Sequence, residues 1–429
     1  MTSTNELSPL ALQQAPIAPA TTSERTAYVR AGRCPDPTTG AVVAPIHQTT
    51  TFAQSGLGGD LGFTYSRAAN PTVATLEAAL GELEGAPPAV CHKTGMASIT
   101  ALFLALLQGG DRVAIAQAVY GGTVRLAREI LDPLGVEAHF FDPTDPASLE
   151  SALAQSPRLV FLETPANPTL ELVDIKAVAG RAHLAGALVA VDNTFQTPYG
   201  LQPLELGADI SVYSTTKFIE GHDATLGGAL VTRDAALLER LRRITKSVGS
   251  TQSPFEAWLT LRGLTTLPLR FEQHCENAAE VASALESHAA ALDLRHPSLK
   301  SFPQRELADR QHRQGRRVAL HGGIVTLRIR GGFDAAVRFL DRLRLVLVAE
   351  NLGAPESLAT HPASMTHGDV PKSQRAAAGI DESLIRLSIG LEDPADVIAD
   401  LTQALDAALE LTTDGARSAS ATEIREVAS

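Results

Sequence analysis

The sequence predicts an α/β protein built on a mostly parallel, helix-covered sheet and followed by a smaller α+β region. From residue 90 to residue 248, short apolar runs alternate with helical patterns, and this alternation is typical of βαβ units. After Arg270 the alternation stops. The separate α+β region is predicted by a long helical segment at 271–291, an apolar run at 322–330, a helical pattern at 334–342 and a strand pattern at 384–389.

The expected strands of the sheet are short runs rich in Val, Ile, Leu and Ala, which are typical of strands buried on both faces. Between them, the segment 96–107 is apolar on nearly every face and predicts a helix buried against the sheet. The segment 123–131 also predicts a helix, but Arg125 and Glu129 mark a solvent-facing side. The predicted strands are 112–116, 138–142, 159–163, 188–192, 210–214 and 229–232.

The composition is that of an ordinary globular protein, and it argues against several classes of function. Of the 429 residues, 44% are hydrophobic and 20% are charged, which is enough apolar content for a large core. The formal net charge of −12 offers no basic surface to nucleic acid or an anionic membrane. The three cysteines form no C-x-x-C pair, so neither a disulfide framework nor a zinc site is expected. Without an export signal or a long apolar span, the chain is expected to be cytoplasmic.

Unusual polar residues follow three of the predicted strands. Asn167 comes after the strand at 159–163, Asp192 ends the strand at 188–192, and Ser214 to Lys217 close the next strand. Ligands of open α/β sheets collect beyond the carboxyl ends of the strands. We therefore expect these side chains to face one cleft.

Two of these residues suggest cofactor chemistry. Lys217 is a candidate nucleophile if a site near the sheet edge keeps its amine partly neutral, although most lysines are solvated surface charges. Asp192 closes the apolar run Leu-Val-Ala-Val-Asp, where a carboxylate can keep a pyridine nitrogen protonated. The alternative for Asp192 is a helix N-cap.

Three further positions fit the same chemistry, each with a structural alternative. Gly95 and Met96 open an apolar helix whose free N–H groups can bind a phosphate, but a plain strand-to-helix turn has the same pattern. Tyr120, before two glycines, can stack on a flat ring, as can any buried tyrosine. Arg386 lies in an apolar strand, where it needs either a substrate carboxylate or a structural ion pair.

Taken together, the motifs resemble the Cys/Met-metabolism (trans-sulfuration) family of enzymes that use pyridoxal 5'-phosphate (PLP). The family includes cystathionine γ-synthases, cystathionine γ-lyases and O-acylhomoserine sulfhydrylases. The resemblance runs from about residue 28 to residue 408 and keeps the family's motif order. The motifs are YSRAANPT at 65–72, TGMA at 94–97, VYGGT at 119–123, ETPANP at 163–168, VDNTF at 191–195, STTKF at 214–218 and RLSIGLE at 386–392.

The resemblance implies a role for each matching residue. Lys217 and Tyr120 are the implied catalytic residues. Lys217 carries PLP as a Schiff base and moves protons, Asp192 pairs with the pyridine nitrogen, and Tyr120 stacks on the ring. Arg386 binds the substrate carboxylate. Asn167 and Asn351 are also assigned to substrate binding, and Asn351 stands where several relatives carry serine. The remaining implied PLP contacts are Gly95, Met96, Ser214 and Thr216 at the phosphate, Asn167 at the ring hydroxyl, and Tyr65 and Arg67 at the phosphate of a neighbouring subunit.

The resemblance also implies PLP-dependent fold type I, the aspartate-aminotransferase-like fold, with a seven-stranded sheet in its large domain. Because Tyr65 and Arg67 serve a neighbouring site, a homo-oligomer is expected, as a tetramer of two active dimers. The predicted organisation is an N-terminal tail and arm at 1–60, a PLP-binding domain at 61–265, a C-terminal α+β domain at 266–410 and a polar tail at 411–429.

The expected reaction is γ-replacement on an O-acyl-L-homoserine by a thiol, as in a cystathionine γ-synthase or a sulfhydrylase. The alternative is γ-elimination from cystathionine or another γ-substituted amino acid, which gives a 2-oxo acid and ammonia. The loop EGHDATLGG at 220–228 resembles sulfhydrylases more than synthases or lyases. Gly122 replaces a cysteine of well-known methionine γ-lyases, which argues against a dedicated methionine lyase.

Two rival functions are weaker. The glycine-rich run at 56–62 suggests a nicotinamide oxidoreductase, but it follows no clear strand and opens no helix. A PLP-binding relative without activity would be expected to lack Lys217 or Asp192, and both are present. His361 and His367 lack a companion at metal-ligand spacing, so no metal is predicted.

Overall fold

The computed structural model describes residues 23–409. The predicted tail at 411–429 and the first 22 residues of the predicted N-terminal tail and arm at 1–60 lie outside the described residues. The larger of two sheets has seven strands. They are β1 (Val90–His92), β2 (Arg112–Ala116), β3 (Glu137–Phe141), β4 (Leu159–Glu163), β5 (Leu188–Asp192), β6 (Ile210–Tyr213) and β7 (Gly228–Thr232).

The strand order of this sheet is β1-β7-β6-β5-β4-β2-β3. Strands β3, β2, β4, β5 and β6 run parallel, while β7 and β1 are antiparallel additions at one edge. The predicted strands at 112–116, 159–163 and 188–192 match in full. The predicted strand at 138–142 is shifted by one residue at both ends, and the remaining two differ by one residue at one end. The expected α/β architecture with a mostly parallel seven-stranded sheet is confirmed.

Helices cover this sheet, and several begin at a side chain that caps free N–H groups. Thr94 accepts a hydrogen bond from the Ala97 N–H at 2.9 Å, and Asn70 accepts one from the Thr72 N–H at 2.9 Å before a proline at the first helical position. The helices up to residue 264 are α1 (Glu24–Arg30), α2 (Pro71–Leu83), α3 (Gly95–Leu106), α4 (Gly121–Leu126), α5 (Pro146–Ala154), α6 (Ile175–Leu184), α7 (Thr197–Gly200), α8 (Ala235–Val248) and α9 (Pro254–Leu264).

The predicted helix at 123–131 is not one uniform α-helix. Helix α4 passes into a π-helical turn at Ala127–Leu131. A short 3-10 turn at Pro203–Leu206 precedes β6. Hydrophobic spacing predicts a helix but does not distinguish 3-10, α and π patterns, because the residues joined by each hydrogen bond differ in separation by only one position between these helix types.

The second sheet has five strands. Across the sheet, the strands lie in the order 347–348, 358–360, 384–388, 324–329 and 291–295. Three of its four strand pairings are antiparallel. Its strands are β8 (Ala291–Arg295), β9 (Ile324–Ile329), β10 (Leu347–Val348), β11 (Leu358–Thr360) and β12 (Leu384–Ser388), and its helices are α10 (Leu267–Leu285), α11 (Arg305–Gln311), α12 (Gly332–Arg342), α13 (Lys372–Ala377) and α14 (394–409).

The long helix predicted at 271–291 begins earlier and ends earlier than expected. Helix α10 begins at Leu267 and ends at Leu285, and Ala291 already belongs to β8. The intervening residues are rich in alanine, which favours a helix locally. Pairing of β8 with β9 overrides that preference.

An apolar core joins the two sheets. Phe218 and Phe271 meet edge to face with ring centroids 5.3 Å apart. They belong to one buried cluster that also includes Leu327 and Leu387 of the second sheet. No helix among residues 23–409 has the length and apolar character needed to cross a membrane. The predicted domain boundaries stay a prediction.

Candidate active site

The carboxyl ends of β4, β5 and β6 meet at one cavity of about 200 Å³. Glu163 and Asp192, the last residues of β4 and β5, are register partners, and Ser214 directly follows β6. The ends of neighbouring strands therefore bring residues that are distant in sequence to one cavity, as expected. The predicted site residues that line this cavity are Gly95, Met96, Tyr120, Asn167, Asp192, Ser214, Thr216, Lys217 and Arg386.

Lys217 is a partly buried residue and not a solvated surface charge. Its Nζ donates a hydrogen bond to the side-chain oxygen of Asn351. Burial and, to a smaller extent, the positive charge of Arg386 lower the pKa of Lys217 to about 8, while Asp223 opposes the shift. A neutral amine is thus accessible close to neutral pH, as a nucleophilic or proton-accepting lysine requires.

Asp192 is buried, and it does not cap a helix. Its Oδ1 accepts hydrogen bonds from the backbone N–H and the hydroxyl of Thr194, at 3.0 and 2.6 Å. The next helix begins only at Thr197, so the N-cap alternative is wrong. Burial raises the pKa of Asp192 to about 6, while the Thr194 bonds lower it. No cationic side chain among residues 23–409 pairs with this carboxylate, which suits it to the protonated ring nitrogen of PLP.

Glu163 is a site residue to which the motif analysis assigned no role. Its two carboxylate oxygens accept the backbone N–H groups of Tyr120 and Asn167, at 2.8 and 2.9 Å. Burial raises the pKa of Glu163, and the charge of Asp192 raises it further. Its position at the end of β4 is the same signal that identified Asp192 at the end of β5, so the strand-end rule applies equally to both.

The N-terminus of α3 offers free donors to an anion. Thr94 caps the Ala97 N–H. The N–H groups of Gly95 and Met96 lie in the first turn, where no intrahelical acceptor is available. A Cβ on Gly95 would lie 2.7 Å from the Cβ of Ser214, so only glycine permits this approach. The cradle fits a phosphate group, in agreement with the roles implied for these residues.

Two hydroxyls beside this cradle have different surroundings. The Thr216 hydroxyl donates to the Gly227 carbonyl at 3.2 Å and accepts the Gly227 N–H at 2.9 Å. The Ser214 hydroxyl has no hydrogen-bond partner within residues 23–409, while the Ser214 N–H donates to the Thr194 hydroxyl at 2.9 Å. Thr194 therefore joins the ends of β5 and β6, a role that the motif analysis missed.

Tyr120 has a packed position beside the cavity. A Cβ on Gly122 would lie 2.5 Å from a ring carbon of Tyr120 and 2.8 Å from the sulfur of Met96. A side chain at Gly122, the second residue after Tyr120, would thus collide with the Tyr120 ring. The Tyr120 N–H donates to Glu163 at 2.8 Å, so the backbone of Tyr120 is held beside the cavity.

Arg386 is buried at 2% exposure, and its recorded hydrogen-bond partners are neutral. Its guanidinium donates to the Asn167 side-chain oxygen at 3.0 Å and to the Asn351 carbonyl and the Thr360 hydroxyl at 3.1 Å. Among the residues that the structure describes, no carboxylate forms an ion pair with it, and its Nε has no partner. The structural ion-pair alternative is wrong, and burial lowers its pKa only to about 10, so it stays charged.

Three predicted residues lie outside this cavity. Asn351 lines an adjoining pocket with Thr216 and Asp223. Tyr65 is 47% exposed, and Arg67 donates to the Lys246 carbonyl at 2.7 Å. Neither Tyr65 nor Arg67 reaches the cavity of its own chain. Between residues 23 and 409, no group of three or more His, Cys, Asp or Glu side chains has the arrangement to hold a metal ion.

Comparison with known proteins gives consistent results over most of the chain. A family model described as Cys/Met metabolism PLP-dependent enzyme matches residues 25–406. The cystathionine γ-lyase of Bacillus subtilis (strain 168) is 41% identical over 383 residues, which cover 89% of this chain and 99% of that protein. The L-methionine γ-lyase of Pseudomonas deceptionensis is 41% identical over 378 residues, which cover 86% of this chain and 93% of that protein.

A solved structure agrees as well. The structure of cystathionine γ-synthase from Xanthomonas oryzae pv. oryzae in complex with cystathionine superposes with a TM-score of 0.88 at 42% identity, covering 91% of this chain and 99% of that one. The resemblance inferred from the motifs is therefore confirmed, as are the expected fold and the expected cofactor. The chain belongs to the Cys/Met-metabolism family and is a PLP-dependent enzyme.

Proposed function

We propose that this enzyme catalyses γ-replacement on an O-acyl-L-homoserine with a thiol nucleophile, with PLP attached to Lys217. The observation that carries the proposal is the pairing of Lys217 with Arg386 in one cavity. A buried arginine whose hydrogen-bond partners within residues 23–409 are all neutral is suited to an α-carboxylate, which would give the guanidinium a bidentate anionic partner. An amino acid bound in this way would present its Cα proton to the same cavity.

Bound PLP would supply an electron sink for charge that develops at the substrate carbons. Lys217 Nζ would take the proton from Cα and would then help to remove a proton from Cβ so that the γ-substituent can leave, since its lowered pKa makes both protonation states accessible. Asp192 and Tyr120 would hold the ring, and Gly95, Met96, Ser214 and Thr216 its phosphate. Asn167 would reach the ring hydroxyl, although its side-chain oxygen now accepts from Arg386.

The second candidate is γ-elimination, and the relatives supply a specific reason to keep it. Proteins named as γ-lyases and as γ-synthases are similarly close to this chain, at 41% and 42% identity. Elimination and replacement share proton removal and loss of the γ-substituent, and they differ in whether a thiol is then captured. The residues described above serve the shared steps. Whether elimination or replacement occurs therefore depends on whether a thiol enters the cavity after the γ-substituent leaves.

The proposal includes a homo-oligomer, a tetramer of two active dimers. Tyr65 and Arg67 are ordered next to each other, with the Arg67 guanidinium 5.7 Å from the Tyr65 ring centroid. Both lie outside the cavity of their own chain, which supports the idea that they complete the phosphate site of a neighbouring subunit. Light scattering of the purified protein tests the tetramer, and a monomer with full activity would contradict it.

Absorbance spectroscopy with a matched lysine control tests the function. The PLP-loaded protein should absorb at about 420 nm, as expected for the lysine-bound cofactor, and Lys217→Ala should lose this band. Lys176→Ala, on an exposed position of α6, should keep it. Thiol-dependent product from an O-acylhomoserine would support replacement, while a 2-oxo acid formed from cystathionine without thiol would favour elimination. A band that survives in Lys217→Ala would overturn the assignment of Lys217.

A further inference from the structure

We infer that Asn351 and Asp223 form a positioning pair that holds the free amine of Lys217 through an acceptor and leaves its lone pair available for the substrate proton. This inference rests on the proposed function of Lys217. It assigns a role to Asp223, a residue of the loop at 220–228 that had no assigned role, and gives Asn351 a role distinct from a direct substrate contact.

The three side chains form a continuous chain of hydrogen bonds. Lys217 Nζ donates to Asn351 Oδ1, and Asn351 Nδ2 donates to Asp223 Oδ1. A protonated lysine can only donate, and an ionised aspartate can only accept. The amide of Asn351 can satisfy both partners in a single orientation, with its oxygen toward Lys217. Asp223 therefore determines which end of the amide the lysine meets.

The backbone around the pair is tied to the site. The Asn351 carbonyl accepts from Arg386, and the Gly353 N–H donates to the Ser388 hydroxyl at 2.9 Å. A Cβ on Gly353, whose φ is +79°, would lie 2.5 Å from the backbone nitrogen of Phe218, the residue after Lys217. These contacts fix the distance between the 351 loop and the lysine. The amide of Asn351 is thus positioned by strand β12 as well as by Asp223.

Asp223 also occupies an unusual backbone position. Its φ is 55°, in the left-handed region, which Asn and Asp tolerate better than other non-glycine residues. It is an exposed residue beside Thr216 in the pocket next to the cavity. The local chain turns here so that the carboxylate of Asp223 reaches the side-chain amide of Asn351.

The chemical consequence concerns the lone pair of the neutral amine. An amide oxygen can accept an N–H from Nζ in both the neutral and the protonated state, but it cannot donate to nitrogen. A hydroxyl at this position could donate to the lone pair and occupy it. When Nζ takes a proton from the substrate Cα, the electron pair of the C–H bond stays on the substrate and Lys217 becomes an ammonium group. The bond to Asn351 persists throughout this transfer.

The charged groups around Lys217 come from several elements. Arg386 lies on β12, Glu163 and Asp192 end β4 and β5, and Glu350 precedes Asn351. After burial, the positive charge of Arg386 lowers the pKa of Lys217, and Asp223 raises it. Loss of the Asp223 carboxylate should therefore lower the pKa of Lys217 as well as release the amide of Asn351.

The test is a double-mutant cycle of Asp223→Asn and Asn351→Ala, with Glu256→Gln as the control. Asparagine tolerates the left-handed backbone at 223 but can donate as well as accept. Glu256 lines the same pocket, so its variant removes one carboxylate without touching the pair. Asn351→Leu, which keeps the side-chain size, replaces Asn351→Ala if the latter does not fold.

Two readouts are used for each protein. In the cofactor-free protein, the pH dependence of Lys217 labelling by an amine reagent reports its apparent pKa. In the PLP-loaded enzyme, kcat and KM are measured with O-acylhomoserine and thiol. Asp223→Asn should lower the apparent pKa of Lys217 and reduce kcat about tenfold with KM changed less than about twofold, the size expected for one lost orienting hydrogen bond. Glu256→Gln should change neither.

The cycle distinguishes the inference from the function on which it rests. If Asn351 transmits the effect, Asp223→Asn should change little more once Asn351 is replaced, so the double variant should resemble the Asn351 variant. Additive effects, or an unchanged pKa in Asp223→Asn, would overturn the positioning pair. If PLP does not protect Lys217 from labelling, the proposed function itself fails. If PLP protects Lys217 from labelling but the effects of the two substitutions are additive, only the positioning pair is contradicted.

Discussion

The two sheets contribute different side chains to one cavity. The seven-stranded sheet supplies Glu163, Asp192 and Lys217 at or after the ends of parallel strands. The five-stranded sheet supplies Arg386 from the middle of an antiparallel strand, between Thr326 and Thr360 on the neighbouring strands. Groups proposed to bind the cofactor come from the first sheet, and the group proposed to bind the substrate carboxylate comes from the second.

This difference shows how the site separates two tasks. Parallel strand ends place short polar residues side by side, as the registered pair Glu163 and Asp192 shows. A long arginine in an antiparallel strand can instead extend from a packed position to the same cavity, held by neutral partners. Variants of the two sheets should therefore affect different measured quantities, cofactor binding for one and substrate binding for the other.

The largest effect is expected for Asp192→Asn in the first sheet. The amide keeps an oxygen for the Thr194 bonds but loses the charge proposed to pair with the ring nitrogen. The kcat should fall on the order of 10³-fold, as for loss of a preorganised electrostatic contact, and PLP should bind more weakly. Steady-state kinetics and PLP titration measure both effects. Unchanged PLP affinity together with unchanged kcat would contradict the role of Asp192.

Arg386→Lys should give a smaller effect of a different kind. Lysine keeps the positive charge, but its ammonium group cannot make the planar, bidentate contact of a guanidinium with a carboxylate. The value of kcat/KM should fall about 10²-fold, mainly through KM, which corresponds to the loss of a charge-assisted hydrogen bond. PLP titration serves as the control, since its affinity should stay within about twofold. A loss of PLP affinity equal to that of Asp192→Asn would remove the distinction between the sheets.

Thr194→Val tests whether Asp192 depends on its neighbour. The valine has a similar shape but cannot donate to Asp192 Oδ1 or accept from the Ser214 N–H. Because the hydroxyl lowers the pKa of Asp192, its loss should raise that pKa further. The kcat should fall about tenfold, and the activity at acidic pH should fall more than at alkaline pH. A pH profile of kcat measures this, and a uniform decrease across pH would argue against the role of Thr194.

The smallest expected effect concerns stability on the side of the second sheet. His274 on α10 is buried, contacts the Ile389 carbonyl at 2.8 Å through Nδ1, and burial lowers its pKa from 6.5 to about 4. Between pH 6.5 and pH 4, His274 is therefore mostly protonated in the unfolded chain but mostly neutral in the folded protein. This contribution to stability is present above pH 6.5 and is lost as the pH falls toward 4, by about 2 kcal/mol at pH 5.

His274→Asn should remove this pH dependence. Asparagine can still donate to the Ile389 carbonyl but does not titrate, so the difference in unfolding free energy between pH 7.5 and pH 5 should shrink by about 2 kcal/mol. Urea unfolding of the PLP-loaded proteins measures it. Above pH 7.5 the two stability curves should run parallel, even if the variant is less stable. An equal acid loss in both proteins would show that His274 does not contribute.

Much of the first sheet's contribution was predictable from local patterns. The strands at 159–163 and 188–192 agree with the structure in full, because parallel strands buried on both faces are short, continuous apolar runs. The residues that follow such runs lie at one edge for geometric reasons. Asp192 and Lys217 therefore became candidates before any contact was known, and the same rule applied to Glu163 would have identified it.

The second sheet was less predictable for a physical reason. Strands β8, β10 and β11 were not expected, since β10 has two residues and β11 three, and the approach to β8 favours a helix. Edge and antiparallel strands of this kind gain their stability from pairing with residues far along the chain. No periodicity within a few residues encodes that pairing.

The amino-acid sequence was sufficient for the family, the cofactor, the parallel sheet and the identity of most side chains around the cavity, because motifs and strand ends are local features. The folded chain was needed to show that Arg386 has neutral partners. It was also needed to show that Asn351, 134 residues after Lys217, bonds to both Lys217 and Asp223. Folding decides whether a buried charged group meets an opposite charge within the chain or stays available to bind a ligand. The extent of burial then shifts the pKa of that group.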